Sequence, residues 1–435
     1  MVLASIASDL RVSSRAMSLH DCFRAPEALI TLDQALDFLT ERLQPVVTAG
    51  PVPLVAAVGR VLAENVVAPV TNPPFACSAM DGFALAFDDL ADAGQPARLT
   101  VTARIAAGHV HDGTFGRGEA ARIFTGAPLP PAFDTVVLQE DCRLEGDSLW
   151  LPEGVGRGDW VRPAGQDVQA GSTVLTRGRR LRPQDVAMAA SVGRTHLEVY
   201  RPLVVGVFST GDELVEPGHP LPPGRLYGCN RAGMLAAVQQ LGCQVVDLGN
   251  VEDRLEATRE CLAAGAERVD LLLTSGGMSV GGEDHVKAAV QSLGAISMWR
   301  MAIKPGKPTA LGHVGKAAFV GLSGYPVSCL VTLMMIARPV ILRLSGAVAE
   351  LVRPWRLSVP AAFSFEKKES RRQFLRVSLD RDEAGRPTVR LFASQEPNVL
   401  SSLVHSDGLV DLAEDLHRVS PGDMVDFIPY SELLR

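Results

Sequence analysis

The chain has 435 residues, enough for roughly three domains of ordinary size. Its 42 Lys and Arg against 49 Asp and Glu leave a thinly spread net charge of −7, which argues against a surface for nucleic acid or an anionic membrane. With 47% hydrophobic and 21% charged residues the composition is that of a folded globular protein, and 40 glycines with 29 prolines call for many turns.

Residues 1–25 have weak periodicity and read as a flexible leader, without the basic-then-apolar order of a signal peptide. From residue 28 the spacing of Ile30, Leu32, Ala35, Leu36, Phe38 and Leu39 is helical, and Thr31 followed by Gln34 has the pattern of a capping box. Residues 66–160 change to short β-type runs (99–105, 121–124, 135–138, 149–151) between Gly- and Pro-rich turns, an all-β insert. Residues 161–200 regain mixed character, with a helical pattern over 183–192. Together with residues 26–65 they are expected to form one mixed helical body from which the insert departs.

Residues 201–345 carry the clearest grammar. Apolar runs at 203–208, 245–248, 271–273 and 318–322 alternate with helix-like segments at 231–241, 254–264, 284–293 and 326–344. Strands buried on both faces read as continuous Val, Ile and Leu, so this block predicts a parallel sheet with crossover helices. Residues 346–435 return to short strands (374–377, 388–392, 424–428), as in a small β-barrel. The longest mostly apolar stretch, 329–337, stops at Arg338-Pro339 and is too short to cross ~30 Å of hydrocarbon. The seven cysteines (Cys22, Cys77, Cys142, Cys229, Cys243, Cys261, Cys329) are odd in number and form no C-x-x-C. That disfavours a disulfide framework or structural zinc, suits a reducing cytoplasm, and makes each a small buried hydrophobe.

Ligands of open α/β sheets bind beyond the carboxyl ends of the strands. Four loops of the 201–345 block belong there by composition: 209–214 (STGDEL), 274–281 (TSGGMSVG), 304–308 (KPGKP) and 321–328 (GLSGYPVS). Each alone is a tight turn or a phosphate cradle; together they point to an anionic, phosphate-bearing ligand, held by backbone N–H groups and by Lys304 and Lys307. Neither G-x-G-x-x-G opening a helix nor a P-loop is present. Asp212, Glu213, Asp253 and Asp284 fall at strand ends or helix starts, where they cap helices or, beside phosphate, hold Mg²⁺. His285 reads as an ordinary surface or core-edge histidine. Outside the block, 72–84 (NPPFACSAMDGFA) and 123–130 (IFTGAPLP) are too polar and too tightly punctuated for ordinary β turns.

Taken together, PPFACSAMDGFA, IFTGAPLP, DTVVLQED, GQDVQAGS, STGDEL, TSGGMSVG, IKPGKP, GLSGYPVS and LSSLVHSDGL resemble, in order, the molybdopterin molybdenumtransferase family, from about residue 28 to the end. The resemblance implies a multi-domain α/β plus β subunit: a central three-layer, parallel-sheet molybdopterin-binding domain (201–345), the β insert carrying SAMDG and TGAPLP, the mixed helical body and a C-terminal β-barrel. It implies a cytoplasmic homodimer in which SAMDG reaches toward the partner's α/β domain. It implies a transferase that uses molybdate as co-substrate and Mg²⁺ to turn adenylylated molybdopterin into molybdenum cofactor, releasing AMP. Contacts with the adenylating enzyme and with client molybdoenzymes follow; a nucleic acid or membrane partner does not.

Carried over by position, the resemblance assigns functional roles to Asp81, Thr125, Asp167, Glu213, Asp253 and Asp284. It gives pterin-phosphate or substrate contacts to Ser275, Gly276, Gly277, Ser279, Gly324, Pro326 and Ser328, with Lys304 and Lys307 as the basic turn. Asp253 and Asp284 are the expected metal ligands. Four places depart from the family's pattern: Tyr325 stands for Asn, Gly282 for Glu with Glu283 following, Gly228-Cys229-Asn230 opens the first helix of the sheet, and 393–398 (ASQEPN) replaces a Gly- and Ser-rich loop. They motivate an alternative expectation, a non-catalytic or specialised paralogue that binds pterin or cofactor and delivers it to a molybdo- or tungstoenzyme.

Overall fold

The computed structural model describes residues 23, 29–91, 97–277, 285–348 and 351–434. Its centre is a six-stranded sheet in the order Gln244–Val251, Val204–Thr210, Leu271–Ser275, Ala317–Leu322, Pro308–Val314, Gly294–Arg300. The first four strands are parallel, as continuous apolar runs require. The last two are antiparallel, so the expectation of a purely parallel sheet is corrected to a mixed one. Leu271, Leu272 and Leu273 are all fully buried, each stabilising the fold by about 1.5–3 kcal/mol. Leu271 and Leu273 join one apolar cluster with the helices Cys229–Gln240 and Pro326–Thr332, while Leu272 joins another with Leu255–Ala266 and His285–Leu293. Helices thus cover both faces.

The helix expected at 326–344 forms with those bounds and carries the apolar stretch 329–337 through Arg338-Pro339. One helix runs from Pro326 to Leu344, 19 residues with a mean hydropathy of 1.8, long and apolar enough to cross a membrane by length and composition, but 89% of it is buried inside the protein. Its middle, Leu333–Ala337, widens into a π-helical turn, which accommodates the missing N–H and ring of Pro339. The buried Arg338 guanidinium donates to the carbonyls of Leu351 and Val352 (3.1 and 3.2 Å).

The N-terminal helix is Leu32–Arg42, and the capping box forms as its sequence predicts: Gln34 N–H donates to Thr31 Oγ1 (3.2 Å) and Thr31 N–H to Gln34 Oε1 (3.0 Å). Its buried face (Leu32, Ala35, Leu36, Leu39) packs into the same cluster as Ile336 and Val340 of the long core helix. Of the expected leader, Phe23 is described, and it is buried in that cluster. Ala49–Pro53 pairs antiparallel with His196–Tyr200, and Leu62, Val66, Leu175, Leu181, Ala189 and Leu197 share a separate core with the helix Pro183–Ser191.

Between these lies a six-stranded sheet in the order Thr135–Leu138, Gly82–Leu85, Glu119–Ile123, Arg98–Ile105, Ser148–Trp150, Arg143–Glu145. Gly82–Leu85, at the end of the punctuated segment 72–84, is a strand; a Cβ on Gly82 would overlap the Val137 carbonyl, so the close strand approach needs glycine there.

At the C-terminus, Arg372–Arg381, Gly408–Leu412, Met424–Pro429 and Leu357–Pro360 form a sheet, with Pro387–Leu391 paired to Arg372–Arg381. Ala361 bridges back to Val389. This sheet takes one strand from the middle of the chain: Ile303–Lys304 pairs parallel with Arg372 and Gln373. An ion cluster ties it down. Asp411, buried, accepts from Arg372 Nε (2.6 Å) and Arg356 Nη2 (2.9 Å), and Arg372 also reaches Asp33 (2.7 Å) on the first helix.

Candidate active site

The carboxyl ends of the four parallel strands meet at one edge, where strand order reverses around Val204–Thr210 and a crevice is expected. Ser209 lies opposite Ser275 and Ser275 opposite Leu322, which brings three of the four predicted loops side by side. Gly276 and Gly277 adopt φ of +93° and +63°, and a Cβ on Gly276 would stand 2.7 Å from the Thr210 carbonyl oxygen. The loop therefore needs glycine for conformation and for room. Gly324 sits against Gly276, 3.7 Å from the place of its absent Cβ to Gly276 Cα. Asn230 Nδ2 donates to the Gly324 carbonyl (2.7 Å), tying the first helix of the sheet to this loop.

Pro326 is the first residue of the core helix, as its ring favours, and Ser328 is buried within the first turn. The Val327 N–H is occupied by the Pro397 carbonyl (3.0 Å) of the C-terminal segment. Together with the missing N–H of Pro326, this leaves the first two positions of the helix without a free amide donor. Thr332, one turn further on, bonds the Ser328 and Cys329 carbonyls (2.6 and 3.1 Å). Gly306 of KPGKP packs on Thr332, at φ +106°.

Lys304 and Lys307 thus flank a turn seated on the core helix. Lys304 is half-buried with Nζ 3.5 Å from Glu369, and Lys307 is exposed. Glu369 is also paired with Arg371, which foremost holds its carboxyl below the usual range, and Arg371 donates to the Ile303 carbonyl (3.0 Å). The three groups keep one net positive charge beside the turn. Glu369 and Arg371 escaped the sequence reading because they arrive from 65 residues away through strand pairing.

The carboxylates gather at the neighbouring strand ends. Thr210 Oγ1 donates to Asp253 Oδ1 and the Asp253 N–H to Asp212 Oδ1, both at 3.4 Å. Glu213 is exposed, its carboxylate folded over Gly211 (φ +151°), where a Cβ would meet Oε2 at 2.6 Å. Met278–Asp284 lie outside the described residues, so Ser279, Gly282, Glu283 and Asp284 have no described geometry. Among the described residues no group of three His, Cys, Asp or Glu stands ready to hold a metal.

Asp81 and Thr125, 44 residues apart, meet directly: Asp81 Oδ1 accepts from both the N–H and the hydroxyl of Thr125, each at 2.8 Å. These two bonds, the backbone one first, hold the Asp81 carboxyl below the ordinary aspartate range, with Arg122 adding a smaller pull. Arg122 donates to the Gly82 carbonyl (3.1 Å) and to Gln139, completing a polar patch that sequence spacing did not reveal. SAMDG and TGAPLP are ladder neighbours: Ser78 N–H bonds Ala127 O (3.0 Å) and Gly126 N–H bonds Ser78 O (2.9 Å). Asp167 stands apart from this pair, bonded to Asn72 through its side chain (3.3 Å) and its own N–H (3.2 Å). No hydrogen bond or ion pair among the described residues joins Asp81, Thr125 or Asp167 to the α/β edge of the same chain.

A glycine-lined strand edge on a mixed α/β sheet, joined to separate β regions before and after it, matches the architecture of a multi-domain molybdopterin-handling protein. Residues 30–193 match the MoeA N-terminal region (domain I and II), residues 206–343 a probable molybdopterin binding domain, and residues 358–430 the MoeA C-terminal region (domain IV). The molybdopterin molybdenumtransferase of Haemophilus influenzae is 35% identical over 407 residues, spanning 93% of this chain and 100% of that protein. Molybdopterin molybdenumtransferase 2 of Mycobacterium tuberculosis is 36% identical over 379 residues, 85% of this chain and 92% of that one. The crystal structure of the molybdopterin biosynthesis moeA protein from Pyrococcus horikoshii OT3 superposes with a TM-score of 0.77 at 27% identity, covering 93% of this chain and 100% of that one. The chain belongs to the molybdopterin molybdenumtransferase family, transferases of molybdenum cofactor biosynthesis.

Proposed function

We propose that this protein inserts molybdate into adenylylated molybdopterin, with Mg²⁺-dependent release of AMP. The observation that carries the reading is the convergence of the Ser275–Gly277 loop, the Gly324 turn and the Thr210–Asp212–Asp253 group on one edge of the parallel strands. The Ser275–Gly277 loop, with Ser279, receives the pterin phosphate, the Gly276 N–H itself being held by the Leu322 carbonyl (3.2 Å) so that Gly276 serves by giving room. Gly324, Pro326 and Ser328 form the facing wall, and Lys304 and Lys307 supply positive charge to an incoming oxyanion.

Asp212 and Asp253 suit Mg²⁺ by donor chemistry: two carboxylates at the end of a phosphate loop match an ion that takes one or two carboxylates and completes its shell with phosphate oxygens and water. Asp253, with Asp284, would hold it, and Glu213 lies within the same acidic rim. Such an ion neutralises phosphoanhydride charge as AMP leaves. Asp81 and Thr125 of the β insert, and Asp167 of the adjoining body, have no described bond to this edge in one chain, which supports a homodimer in which they complete the partner's site. The same reading divides the subunit into a mixed body (26–65 with 161–200), a β insert (66–160), a three-layer α/β domain (201–345) and a C-terminal barrel (346–435) closed through the Ala361–Val389 bridge. It acts in the cytoplasm, receiving substrate from the adenylating enzyme and passing cofactor to client molybdoenzymes.

The test is AMP release by purified protein from adenylylated molybdopterin and Mg²⁺, with and without molybdate. Molybdate-dependent AMP is expected. Tight pterin binding with no AMP under any condition would refute insertion and leave a cofactor-binding protein.

A further inference from the structure

The chain has four tyrosines, and three are bonded through their hydroxyls: Tyr200 to Arg177, Tyr227 to the His219 carbonyl and Tyr430 to Ser406. Tyr325 is different. It is 60% exposed, and its phenol makes no hydrogen bond among the described residues. Its main chain, by contrast, is pinned on both sides. The preceding Gly324 carbonyl holds the Asn230 amide (2.7 Å), the Tyr325 carbonyl takes the Cys329 N–H (2.8 Å), and Pro326 follows with its ring fixing the turn.

A rigid backbone bearing a free ring is placed one residue from Gly324, the glycine that packs on the Ser275–Gly277 loop. The first two residues of the helix beside it offer a ligand no amide donor, because Pro326 has no N–H and the Val327 N–H is spent on Pro397. What this turn presents is an aromatic face. An aromatic side chain with two torsions gives large contact area at low entropic cost, and any planar heterocycle has a face to lay on it.

We infer that Tyr325 is a stacking platform for a fused bicyclic nitrogen heterocycle of the substrate, its pterin or its adenine, and so a specificity-determining residue of this site. The inference rests on the proposed function for its substrate. Tyr325 acts in binding, so its loss raises KM with kcat largely kept.

The test uses full-length wild-type protein, Tyr325→Ala and Tyr325→Phe, titrated calorimetrically with adenylylated molybdopterin, with AMP alone and with a simple pterin alone. Tyr325→Ala is expected to weaken adenylylated molybdopterin roughly fivefold to a hundredfold, the range of a lost ring stack, while Tyr325→Phe stays within about twofold of wild type. A loss confined to AMP assigns the adenine to the ring; a loss confined to the pterin assigns the pterin. If Tyr325→Ala binds as well as wild type, or if Tyr325→Phe is as weak as Tyr325→Ala, stacking is overturned while the site reading stands. If wild type binds none of the three, the site reading falls and the stacking role with it.

Discussion

Gly306 offers a test of how KPGKP is held, because its two requirements can be separated. Replacing it with Ala puts a side chain on a residue at φ +106°, a conformation costing a non-glycine residue about 1–3 kcal/mol. The new methyl also lands well inside contact distance of Thr332 Cγ2, within 3.6 Å of Thr332 Cβ and 3.7 Å of Ile303 Cδ1, and such overpacking costs a further ~1–3 kcal/mol. Thr332 is fully buried and its hydroxyl is committed to the Ser328 and Cys329 carbonyls, so it has no free direction in which to turn. Thr332→Ser removes Cγ2 and keeps those bonds, at about 1 kcal/mol for the lost methyl. In Gly306→Ala/Thr332→Ser the overlap is gone and the backbone strain remains. The cycle therefore predicts a favourable coupling of about 1–2 kcal/mol, read from chemical denaturation midpoints and, locally, from hydrogen exchange of amides 303–308 and 328–334. Gly306→Ala with an unchanged midpoint, or a cycle without favourable coupling, would refute the packing described for this turn.

Thr125→Val keeps the N–H bond to Asp81 and loses the hydroxyl one, so the Asp81 carboxyl should move up toward its ordinary value in a carboxyl ¹³C titration; an unmoved value would mean that the backbone bond alone sets it. Because the folded-state pKa is depressed, the stability contributed by this contact is full above the ordinary aspartate range and is lost as pH falls through the folded value. Asp411→Ala should destabilise the C-terminal sheet by about 3–5 kcal/mol, since it leaves Arg356 without its carboxylate and Arg372 with only Asp33; calorimetric unfolding within about 1 kcal/mol of wild type would show the cluster to be dispensable. In a Cys22→Ser background, native protein at pH 8 should be alkylated first at Cys229, the exposed thiol among the described cysteines. Burial pushes Cys329, Cys243 and Cys142 up to about 12 and Cys261 up to about 11, so faster labelling of any of these by peptide mass spectrometry would contradict the described burial.

What the sequence revealed follows the range of the forces involved. The helix at Leu32 was legible because Thr31 and Gln34 cap it locally, and the central strands because three consecutive leucines have nowhere polar to face. The strands Gly294–Arg300 and Pro308–Val314 were missed: the first mixes Ser, Trp and Arg with small residues, and only its partner makes it a strand. The core helix was legible over its full length, 326–344, but the π-helical turn at Leu333–Ala337 and the two carbonyls that hold Arg338 were not, because no local pattern encodes them. At the site, glycines were readable from their own spacing, whereas Asn230, Pro397, Glu369 and Arg371 act through partners 65 to 94 residues or so away, which no local pattern encodes. Cys229 likewise departs from the buried role expected of each cysteine, because it opens a helix at the rim.

The first helix also sets a timetable for biosynthesis. Its apolar face is covered by residues of the core helix, and Arg343 closes on the Leu43 carbonyl across a separation of 300 residues. At a synthesis rate of about 5–20 residues per second, that stripe waits roughly 15–60 s on the ribosome before its cover exists. Leu32, Leu36 and Leu39 therefore stay without their native cover on the nascent chain until the core helix has been made.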